Sequence, residues 1–506
     1  MRASGVLMHI TSLPGAYGIG TMGAEAFSFV DFLKKAGQYY WQILPLSPTG
    51  YGDSPYQSCS TYAGNHYLID LERLIEAGLL LREEVESVFW GENPGRVDFG
   101  AQYRGRLNVL RLAHNRFADE EALDRFCWEN SSWLPDFALF MALKDRYEGK
   151  PWYEWEDALK FREPDALAAA AAELADEIRF YCFVQYLFRQ QWSALREYAN
   201  EKGVHIIGDV PIYVPYDSAD VWTAPQLFQL DEILTPVSVA GAPPDYFSED
   251  GQLWGNPLYR WDRMAKDGYA WWLRRLEAAG ELYDVIRFDH FRGFESYWSV
   301  PFGEKTARNG KWIKGPDMDF IGTIQKQLPE LEMIAEDLGF LTQAVLDMRE
   351  ASGLPGMQVL GFAFDSREPS SYLPYNHIPN AVCYTGTHDN MPMRQWFETA
   401  SEDSVAYAKE FMALTEEEGL VWGVIRTAEA SACNTCIIQM QDFLDLGAEA
   451  RMNFPGTMGT NWTWRAEAGF ASDTLAKRIY RLTKLYGRCQ EVNNEKSMNG
   501  DSINEV

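Results

Sequence analysis

The chain has 506 residues, with 45 lysines and arginines against 73 aspartates and glutamates, giving a formal net charge of −28 at pH 7. This negative field repels nucleic-acid backbones and anionic membrane surfaces, so the composition argues against both partners. The sequence has no apolar run of about 18 residues, and we therefore predict no membrane-spanning helix. Seven scattered cysteines and the lack of a signal-peptide pattern predict a cytoplasmic location.

Eight short apolar runs, separated by stretches with helical periodicity, follow one another along the chain. After the first run, "AEAFSFVDFLKKAG" predicts a helix that ends at Gly37. The runs are near-continuously apolar, which is typical of strands buried on both faces. Eight such strands with helices between them predict an α/β fold of the (β/α)8 TIM-barrel type. The runs cover residues 5–10, 39–46, 204–214, 284–291, 331–338, 356–364, 380–389 and 434–443.

Three intervals between these runs are too long for simple crossovers. Residues 47–203 carry a long helical pattern, and residues 215–283 and 292–330 are rich in Pro, Gly and Trp. We interpret these intervals as helical and loop subdomains inserted on the C-terminal face of one catalytic barrel that spans residues 1–485. Residues 486–506 are polar and without periodicity, which predicts a disordered tail.

The cysteine pair in "CNTC" (433–436) has CxxC spacing. A second CxxC or a histidine pair, which a zinc site would need, does not accompany it. The pair falls at the start of an apolar run, so we interpret it as part of a buried strand.

Four of the eight runs end in an acid: Asp209, Asp289, Glu336 and Asp389. In a barrel of this type functional residues lie at the C-terminal ends of the strands. A single acid in that place is commonly a helix N-cap or a turn residue. Four of them, each beside His, Arg or Gly, favour a site that uses carboxylates. One carboxylate as nucleophile, one carboxylic acid as proton donor and a stabilising third are what glycoside chemistry needs.

Asp289 suits the nucleophile. Residues i and i+2 of a strand face the same way, so Arg287 is expected beside Asp289 and would hold it ionised. The alternative is an Arg–Asp pair that only ties the strand to a loop.

Glu336 suits the acid. Its apolar run would desolvate it, and Asp337 and Asp389 would oppose a second negative charge, so both effects raise its pKa. Asp337 is the rival assignment and should point to the other side of the strand. Asp389 could anchor sugar hydroxyls and stabilise positive charge, with His290 and His388 as hydroxyl-binding donors. Because no cluster has a recognisable ligand spacing, a metal site is the weaker reading.

Several motifs in order along the chain resemble those of a known family. The segments "GDVPIYV" (208–214), "IRFDHFRG" (286–293), "AEDLG" (335–339) and "TGTHDN" (385–390) resemble the signature regions of α-amylase-type barrels. More specific segments resemble the 4-α-glucanotransferases, the amylomaltases or disproportionating enzymes of glycoside hydrolase family 77. These are "SLPGAYGIG" (12–20), "QILPLSPTGYGDSPYQS" (42–58), "AGNHYLIDL" (63–71), "WGNPLYRW" (254–261) and "RMNFPGTMGTNWTWR" (451–465).

The resemblance implies a role for each matching residue. It implies Asp289 as nucleophile, Glu336 as acid/base and Asp389 as transition-state stabiliser, with no metal and no organic cofactor. The positions expected to bind substrate are Tyr56, Asp209, Arg287, His290, His388, Trp254, Tyr246, Phe247 and Asn461, and Tyr51 resembles a residue of a secondary glucan site. The implied partners are α-1,4-glucans, including glycogen-derived chains, with glucose as acceptor. The expected protein is a monomer or a weak homodimer.

The implied reaction is a retaining transfer of a glucan segment to an acceptor 4-hydroxyl. The segment "VAGAPPDYFSEDGQLWGNP" (239–257) combines glycines with aromatic rings and could exclude water from the site. An α-amylase-type hydrolase shares every one of these residues and stays open. A non-catalytic glucan-binding barrel would be expected to lack one of the three acids, and an inert structural barrel explains neither the acids nor the aromatic segment.

Overall fold

The computed structural model describes residues 2–50, 52–244, 248–339, 341–367 and 370–489. Within them the strands are β1 (Ala3–Leu7), β2 (Tyr40–Gln42), β3 (His205–Val210), β4 (Ser238–Ala242), β5 (Gln252–Pro257), β6 (Val285–Phe288), β7 (Ser296–Pro301), β8 (Lys311–Lys314), β9 (Glu332–Ala335), β10 (Gly356–Val359), β11 (Ala381–Tyr384) and β12 (Thr435–Gln439).

The helices surround and extend these strands. They are α1 (Ala24–Lys35), α2 (Leu71–Glu76), α3 (Arg82–Glu86), α4 (Phe99–Arg116), α5 (Glu120–Glu129), α6 (Leu134–Arg146), α7 (Asp157–Lys160), α8 (Pro164–Glu173), α9 (Ala175–Glu201), α10 (Ala219–Thr223), α11 (Trp261–Met264), α12 (Ala270–Leu282), α13 (Asp317–Gln327), α14 (Gln343–Ser352), α15 (Met393–Thr399), α16 (Glu402–Phe411), α17 (Leu420–Ala430), α18 (Met440–Phe443) and α19 (Asp473–Leu485).

Eight strands form one parallel sheet in the order β10-β11-β12-β1-β2-β3-β6-β9. Consecutive barrel strands therefore pair with each other, and the last strand β12 pairs with β1, while β9 and β10 form the two edges of the sheet. The Ala335 N–H donates to the Pro355 carbonyl, 2.9 Å away, which links the end of β9 to the residue before β10 and nearly closes the ring. The predicted (β/α)8 barrel is confirmed.

All eight predicted strands occur, and each ends earlier than the apolar run that predicted it. The reason is that the last residues of each run leave the sheet at the carboxyl end of the barrel, where they form loops, 3-10 turns or, after β12, the short helix α18. One crossover departs from the ideal pattern. Between β10 and β11 the described residues form 3-10 turns at Leu360–Phe362 and Pro374–Asn376 in place of an α-helix.

The long intervals contain more than helices and loops. Helices α2 to α9 lie between β2 and β3, and α9 alone has 27 residues. The other two intervals contribute β4, β5, β7 and β8, which form an antiparallel sheet in the order β5-β4-β7-β8. Because β7 begins soon after β6 ends, this sheet stands at the carboxyl end of the barrel. The sequence analysis did not predict it.

One continuous cluster of buried apolar side chains fills the molecule from Val6 to Ile479. The strands of the barrel are buried along almost their whole length, as in β6, where all four residues are buried. Helix α1 ends as predicted, with Gly37 in the left-handed region at φ 69°. The folded part continues beyond the predicted boundary at residue 485, because Arg488 is fully buried. Residues 490–506, most of the predicted tail, lie outside the described residues.

In the part of the chain that the structure describes, every helix is too short or too polar to cross a bilayer.

Candidate active site at the carboxyl ends of the barrel strands

The four acids predicted at strand ends meet at one end of the barrel. Asp209 is the fifth residue of β3, Asp289 follows β6 directly and Glu336 follows β9 directly. Backbone hydrogen bonds tie these ends together: the Asp289 N–H donates to Val210 O at 3.1 Å, and the Glu336 N–H to Phe288 O at 3.0 Å. Asp389 arrives from the loop that follows β11.

Arg287 lies between two of these carboxylates. Its Nη1 is 2.6 Å from Asp209 Oδ2 and 3.2 Å from Asp289 Oδ1, and its side chain is only 3% exposed. The pairing with Asp289 follows the expected i, i+2 geometry. The pairing with Asp209 follows from the sheet, in which Asp209 and Arg287 are register partners. One guanidinium therefore pairs with two acids. The alternative, an Arg–Asp pair that only ties the strand to a loop, does not account for the second pairing, with Asp209.

The pKa values of Asp209 and Asp289 are both raised. Burial raises the pKa of Asp209 to about 7 against the opposing effect of Arg287, and the neighbouring Asp289 adds to the rise. Burial also raises the pKa of Asp289, again opposed by Arg287. The sequence analysis expected Arg287 to hold Asp289 ionised. In the structure Arg287 does favour the Asp289 carboxylate, but desolvation has the larger effect on the pKa of Asp289.

Glu336 accepts two backbone hydrogen bonds and has a raised pKa. Its Oε2 accepts the His290 N–H at 2.6 Å and its Oε1 accepts the Leu338 N–H at 3.0 Å. Burial nevertheless raises its pKa to about 8, Arg287 opposes the rise and Asp289 adds to it. The predicted direction agrees, although the charged neighbour that raises the pKa is Asp289 and not Asp337 or Asp389.

His290 has a strained backbone that serves Glu336. Its φ of 50° and ψ of 48° lie in the left-handed region, which costs about 1 kcal/mol for a residue other than glycine. This conformation turns the backbone N–H of His290 toward the Glu336 carboxyl. Strain of this kind tends to accumulate at functional sites.

Asp337, the rival for the acid role, is bound elsewhere. Its Oδ2 pairs with Arg349 Nη1 at 3.0 Å and its Oδ1 accepts the Met357 N–H at 2.7 Å. The side chain therefore points to the far side of the strand from Glu336, as the alternation of side chains along a strand predicts.

Asp389 is held by residues that the sequence analysis missed. Its Oδ1 accepts a hydrogen bond from Asn453 Nδ2 at 2.6 Å and lies 3.4 Å from His388 Nε2. Its backbone carbonyl accepts from Arg451 Nη2 at 3.2 Å. Asn453 and Arg451 belong to "RMNFPGTMGTNWTWR", a segment that the sequence analysis quoted, but nothing in its pattern distinguishes Asn453 from Asn461.

The predicted Asn461 has a different place. Its Oδ1 accepts the Phe454 N–H at 3.0 Å and its Nδ2 donates to the Thr457 carbonyl at 2.9 Å. These bonds lie within its own loop, so the structure does not bring its amide to the acids.

Tyr56 and His388 lie side by side next to the acids. The Tyr56 hydroxyl donates to Asp209 Oδ2 at 2.8 Å and lies 3.4 Å from His388 Nδ1, and the two rings stack with centroids 5.0 Å apart. Burial lowers the pKa of His388 to about 4 and that of His290 to about 3. Both imidazoles are therefore neutral near pH 7 and act as hydrogen-bonding groups rather than cations.

The aromatic segment 239–257 reaches the site through one described ring. Trp254, on β5, packs edge-to-face against His290 with centroids 4.8 Å apart. The predicted substrate-binding residues Tyr246 and Phe247, and the predicted secondary-site residue Tyr51, lie outside the described residues.

Three buried polar atoms of the site have no protein hydrogen-bond partner among the described residues. They are Asp209 Oδ1, Arg287 Nε and His290 Nε2. Buried polar atoms are nearly always paired, so three unpaired ones in one place mark a surface that binds a polar molecule.

The described residues contain no group of three or more His, Cys, Asp or Glu side chains that could hold a metal ion. Cys433 and Cys436 are buried and free at the start of β12. The acids themselves offer acid and base chemistry, with a carboxyl whose pKa is about 8 close to a carboxylate paired with a guanidinium.

Comparison with known proteins identifies the family of this chain. A family model described as 4-alpha-glucanotransferase, glycoside hydrolase family 77, matches residues 8–471. The chain is 49% identical over 487 residues to a 4-alpha-glucanotransferase of Clostridium butyricum, covering 96% of this chain and 100% of that protein. It is 46% identical to a 4-alpha-glucanotransferase of Thermus thermophilus, covering 96% and 99%.

Among solved structures, the chain is similar to an amylomaltase from Streptococcus agalactiae in complex with acarbose. The TM-score is 0.95 and the identity 42%, with 97% of this chain and 100% of that chain covered. The chain belongs to the 4-alpha-glucanotransferases of glycoside hydrolase family 77.

Proposed function

We propose that this 4-alpha-glucanotransferase transfers a segment of an α-1,4-glucan by two displacements at Asp289, with Glu336 as acid and then base. One observation carries the assignment of roles. Glu336 is protonated near neutral pH, with a pKa of about 8, while the neighbouring Asp289 has a guanidinium partner at 3.2 Å. Burial raises the pKa of Asp289 as well, but Arg287 opposes that rise and favours the carboxylate, and such a difference in environment suits an acid and nucleophile pair.

In the first displacement an Asp289 carboxylate oxygen attacks the anomeric carbon of the donor glucan. The bond from that carbon to the glycosidic oxygen breaks, its electron pair stays on the oxygen, and Glu336 supplies the proton. The product is a β-glycosyl ester on Asp289 with a free leaving glucan. Retaining chemistry of this kind requires the two carboxyl groups to stand about 5–5.5 Å apart.

In the second displacement an acceptor 4-hydroxyl attacks the same carbon. Glu336, now ionised, removes the proton of that hydroxyl, and Asp289 leaves as a carboxylate. Asp389 keeps a negative charge near the positive charge that develops on the sugar ring in both steps. Both steps use protein side chains alone.

Neutral polar groups around the acids are the proposed sugar-binding surface. His290 and His388 offer ring nitrogens without net charge, and the three buried unpaired atoms match a ligand with many hydroxyl groups. The related amylomaltase was solved with acarbose, and by analogy we propose α-1,4-linked oligosaccharides, amylose and glycogen-derived chains as donors, with glucose or a glucan as acceptor.

Transfer requires that an acceptor reach the intermediate before water does. Trp254 covers His290 beside the acids, and it belongs to a hairpin of β4 and β5 that stands over the carboxyl end of the barrel. We propose that this hairpin excludes water when an acceptor is bound.

Residues 1–485 are proposed to act as one catalytic unit. The seven free cysteines fit a reducing cytoplasm.

Incubation of the purified protein with maltotriose alone tests the proposal. Transfer conserves the number of glycosidic bonds, so chromatography over time should show glucose and a ladder of longer maltodextrins at constant total reducing ends. Glucose and maltose with rising reducing ends would identify a hydrolase with the same acids. Unchanged maltotriose would refute short α-1,4-glucans as donors.

A further inference from the structure

We infer that Asn453 is a positioning residue that fixes the orientation of Asp389 for the transition state. The inference rests on the proposed function, in which Asp389 stabilises the charge on the sugar ring. It starts from the Asn453 Nδ2 to Asp389 Oδ1 distance of 2.6 Å, the shortest side-chain hydrogen bond that the structure gives Asp389.

Asp389 has little else to orient its carboxylate. Its side chain is 47% exposed and follows β11 in a loop, not in the barrel wall. The other side-chain contact, with His388 Nε2, is longer at 3.4 Å, and the lowered pKa of His388 leaves that ring neutral. Without the Asn453 amide, the carboxylate would be free to rotate about its side-chain torsions.

Asn453 is held in place by bonds that return to the same loop. Its backbone N–H donates to the His388 carbonyl at 3.2 Å, and its carbonyl accepts from Arg451 Nε at 2.9 Å. Arg451 also donates from Nη2 to the Asp389 carbonyl, and its guanidinium covers the Phe454 ring at 4.2 Å. The amide is therefore aimed at Asp389 by a rigid frame and not by a flexible side chain alone.

The chemical type of the donor matters. A group that stabilises positive charge must keep its own negative charge, and a cation bonded to it would oppose that role. The amide of Asn453 orients the Asp389 carboxylate without itself adding a positive charge, while the nearby Arg451 guanidinium bonds to the Asp389 backbone carbonyl and not to its carboxylate. Asp289 has the opposite arrangement, with the Arg287 guanidinium as its partner.

Loss of the amide should affect the transition state more than substrate binding. We expect Asn453→Ala to lower kcat about 100-fold, because a misplacement of about 1 Å costs roughly that much. KM should change by about twofold or less, since an interaction made in the transition state is expressed in kcat. The thermal unfolding temperature checks that the variant is folded.

A double-mutant cycle tests whether Asn453 acts through Asp389. The variants are Asn453→Ala, Asp389→Asn and the double variant, assayed with α-maltosyl fluoride, whose good leaving group keeps slow variants measurable. If the inference holds, Asn453→Ala costs about twofold or less in the Asp389→Asn background. The matched comparison is Asn461→Ala, which loosens the same loop without contacting Asp389 and whose effect should multiply with that of Asp389→Asn.

A second variant tests the inference through a pH dependence of activity that a purely structural role of Asn453 would not produce. Asn453→Asp places a carboxylate against the Asp389 carboxylate, and two such groups share one proton. Its activity relative to wild type should therefore rise as the pH is lowered. The inference would be overturned if the rate losses of Asn453→Ala and Asp389→Asn multiplied in the double variant. It would also be overturned if the loss of activity in Asn453→Asp did not change with pH. Wild-type rates in Asp389→Asn would instead refute the role proposed for Asp389 itself.

Discussion

The two ends of the barrel each bury an arginine, and they use it in opposite ways. At the amino end, Arg488 is fully buried and its Nε lies 3.4 Å from Glu429 Oε2. All three of its guanidinium nitrogens donate hydrogen bonds. The backbone carbonyls that accept them belong to Ala3, Glu429, Ser431, Cys433 and Asn434.

At the carboxyl end, Arg287 is as deeply buried but less fully bonded. One nitrogen, Nη1, serves both Asp209 and Asp289, while Nε has no protein partner among the described residues. A satisfied buried charge holds a fold together, whereas an unsatisfied one is retained for a ligand. The difference indicates that the Arg488 guanidinium stabilises the barrel and that the Arg287 guanidinium keeps a donor for substrate, although Glu429 Oε2 beside Arg488 also has no hydrogen bond among the described residues.

The largest expected effect on activity comes from a residue at the carboxyl end of β6, and a residue at the amino end of the same strand serves for comparison. Asp289→Ala should reduce transfer and hydrolysis at least about 10⁴-fold with the fold retained, because it removes the nucleophile. Asp284→Ala, at the amino end of β6, removes contacts with Arg196 and the Ile206 N–H. It should lower the unfolding temperature and leave kcat within about threefold, since Asp284 lies far from the acids. Substantial turnover by Asp289→Ala in the maltotriose assay would remove Asp289 from the nucleophile role.

The second prediction concerns the amino end. Arg488→Ala removes the stronger of two cations that act on the buried Glu429, the other being Arg2, and removal of one partner of a buried pair costs about 3–5 kcal/mol in the free energy of unfolding. Arg488→Lys keeps the charge but loses the planar fork, so its loss should be smaller. Urea unfolding measures both, and kcat per folded molecule should be unchanged. If Arg488→Ala unfolds at the wild-type urea concentration, Arg488 does not stabilise the barrel.

The third prediction uses the pKa of Glu336. Its folded value of about 8 exceeds the ordinary value of 4.5, so the folded state binds more protons between these values. Its contribution to stability is fully present below pH 4.5 and is lost as the pH rises through 8. Glu336→Gln cannot ionise and should therefore gain about 4 kcal/mol relative to wild type between pH 5 and pH 9.

Thermal unfolding of Glu336→Gln at the two pH values measures this gain. Glu332→Gln, at the exposed start of the same strand, is the control and should show no pH-dependent gain. The wild-type transfer rate should also fall with an apparent pKa near 8 as Glu336 loses its proton. A gain that is the same at pH 5 and pH 9 would contradict the raised pKa.

The sequence was sufficient for the barrel and for the position of the acids. Each barrel strand is an apolar run, and the acids follow because strand ends converge in a barrel. The i, i+2 rule placed Arg287 beside Asp289. These inferences needed only local patterns.

What the sequence could not predict depends on contacts between distant parts of the chain. Asn453 lies 64 residues from Asp389, and Arg488 bonds to Ala3 across 485 residues, so no local pattern connects them. The sharing of Arg287 between Asp209 and Asp289 needs the sheet register. The second sheet arises from short strands with little apolar periodicity, such as β8, which is mostly exposed.

The smallest predicted effect tests how much a single polar group of the site, the Tyr56 hydroxyl, contributes to kcat/KM. Tyr56→Phe removes the hydroxyl that contacts Asp209 and His388 but keeps the stacked ring. Asp209 Oδ2 retains Arg287 at 2.6 Å, so we expect kcat/KM to fall only about tenfold, or about 1.4 kcal/mol. Tyr269→Phe removes a comparable hydroxyl–carboxylate bond, to Asp319, away from the acids, and kcat/KM should then stay within about twofold. A loss above about 1000-fold in Tyr56→Phe would mean that the hydroxyl takes part in the reaction itself, and the two-displacement scheme would need a further proton donor.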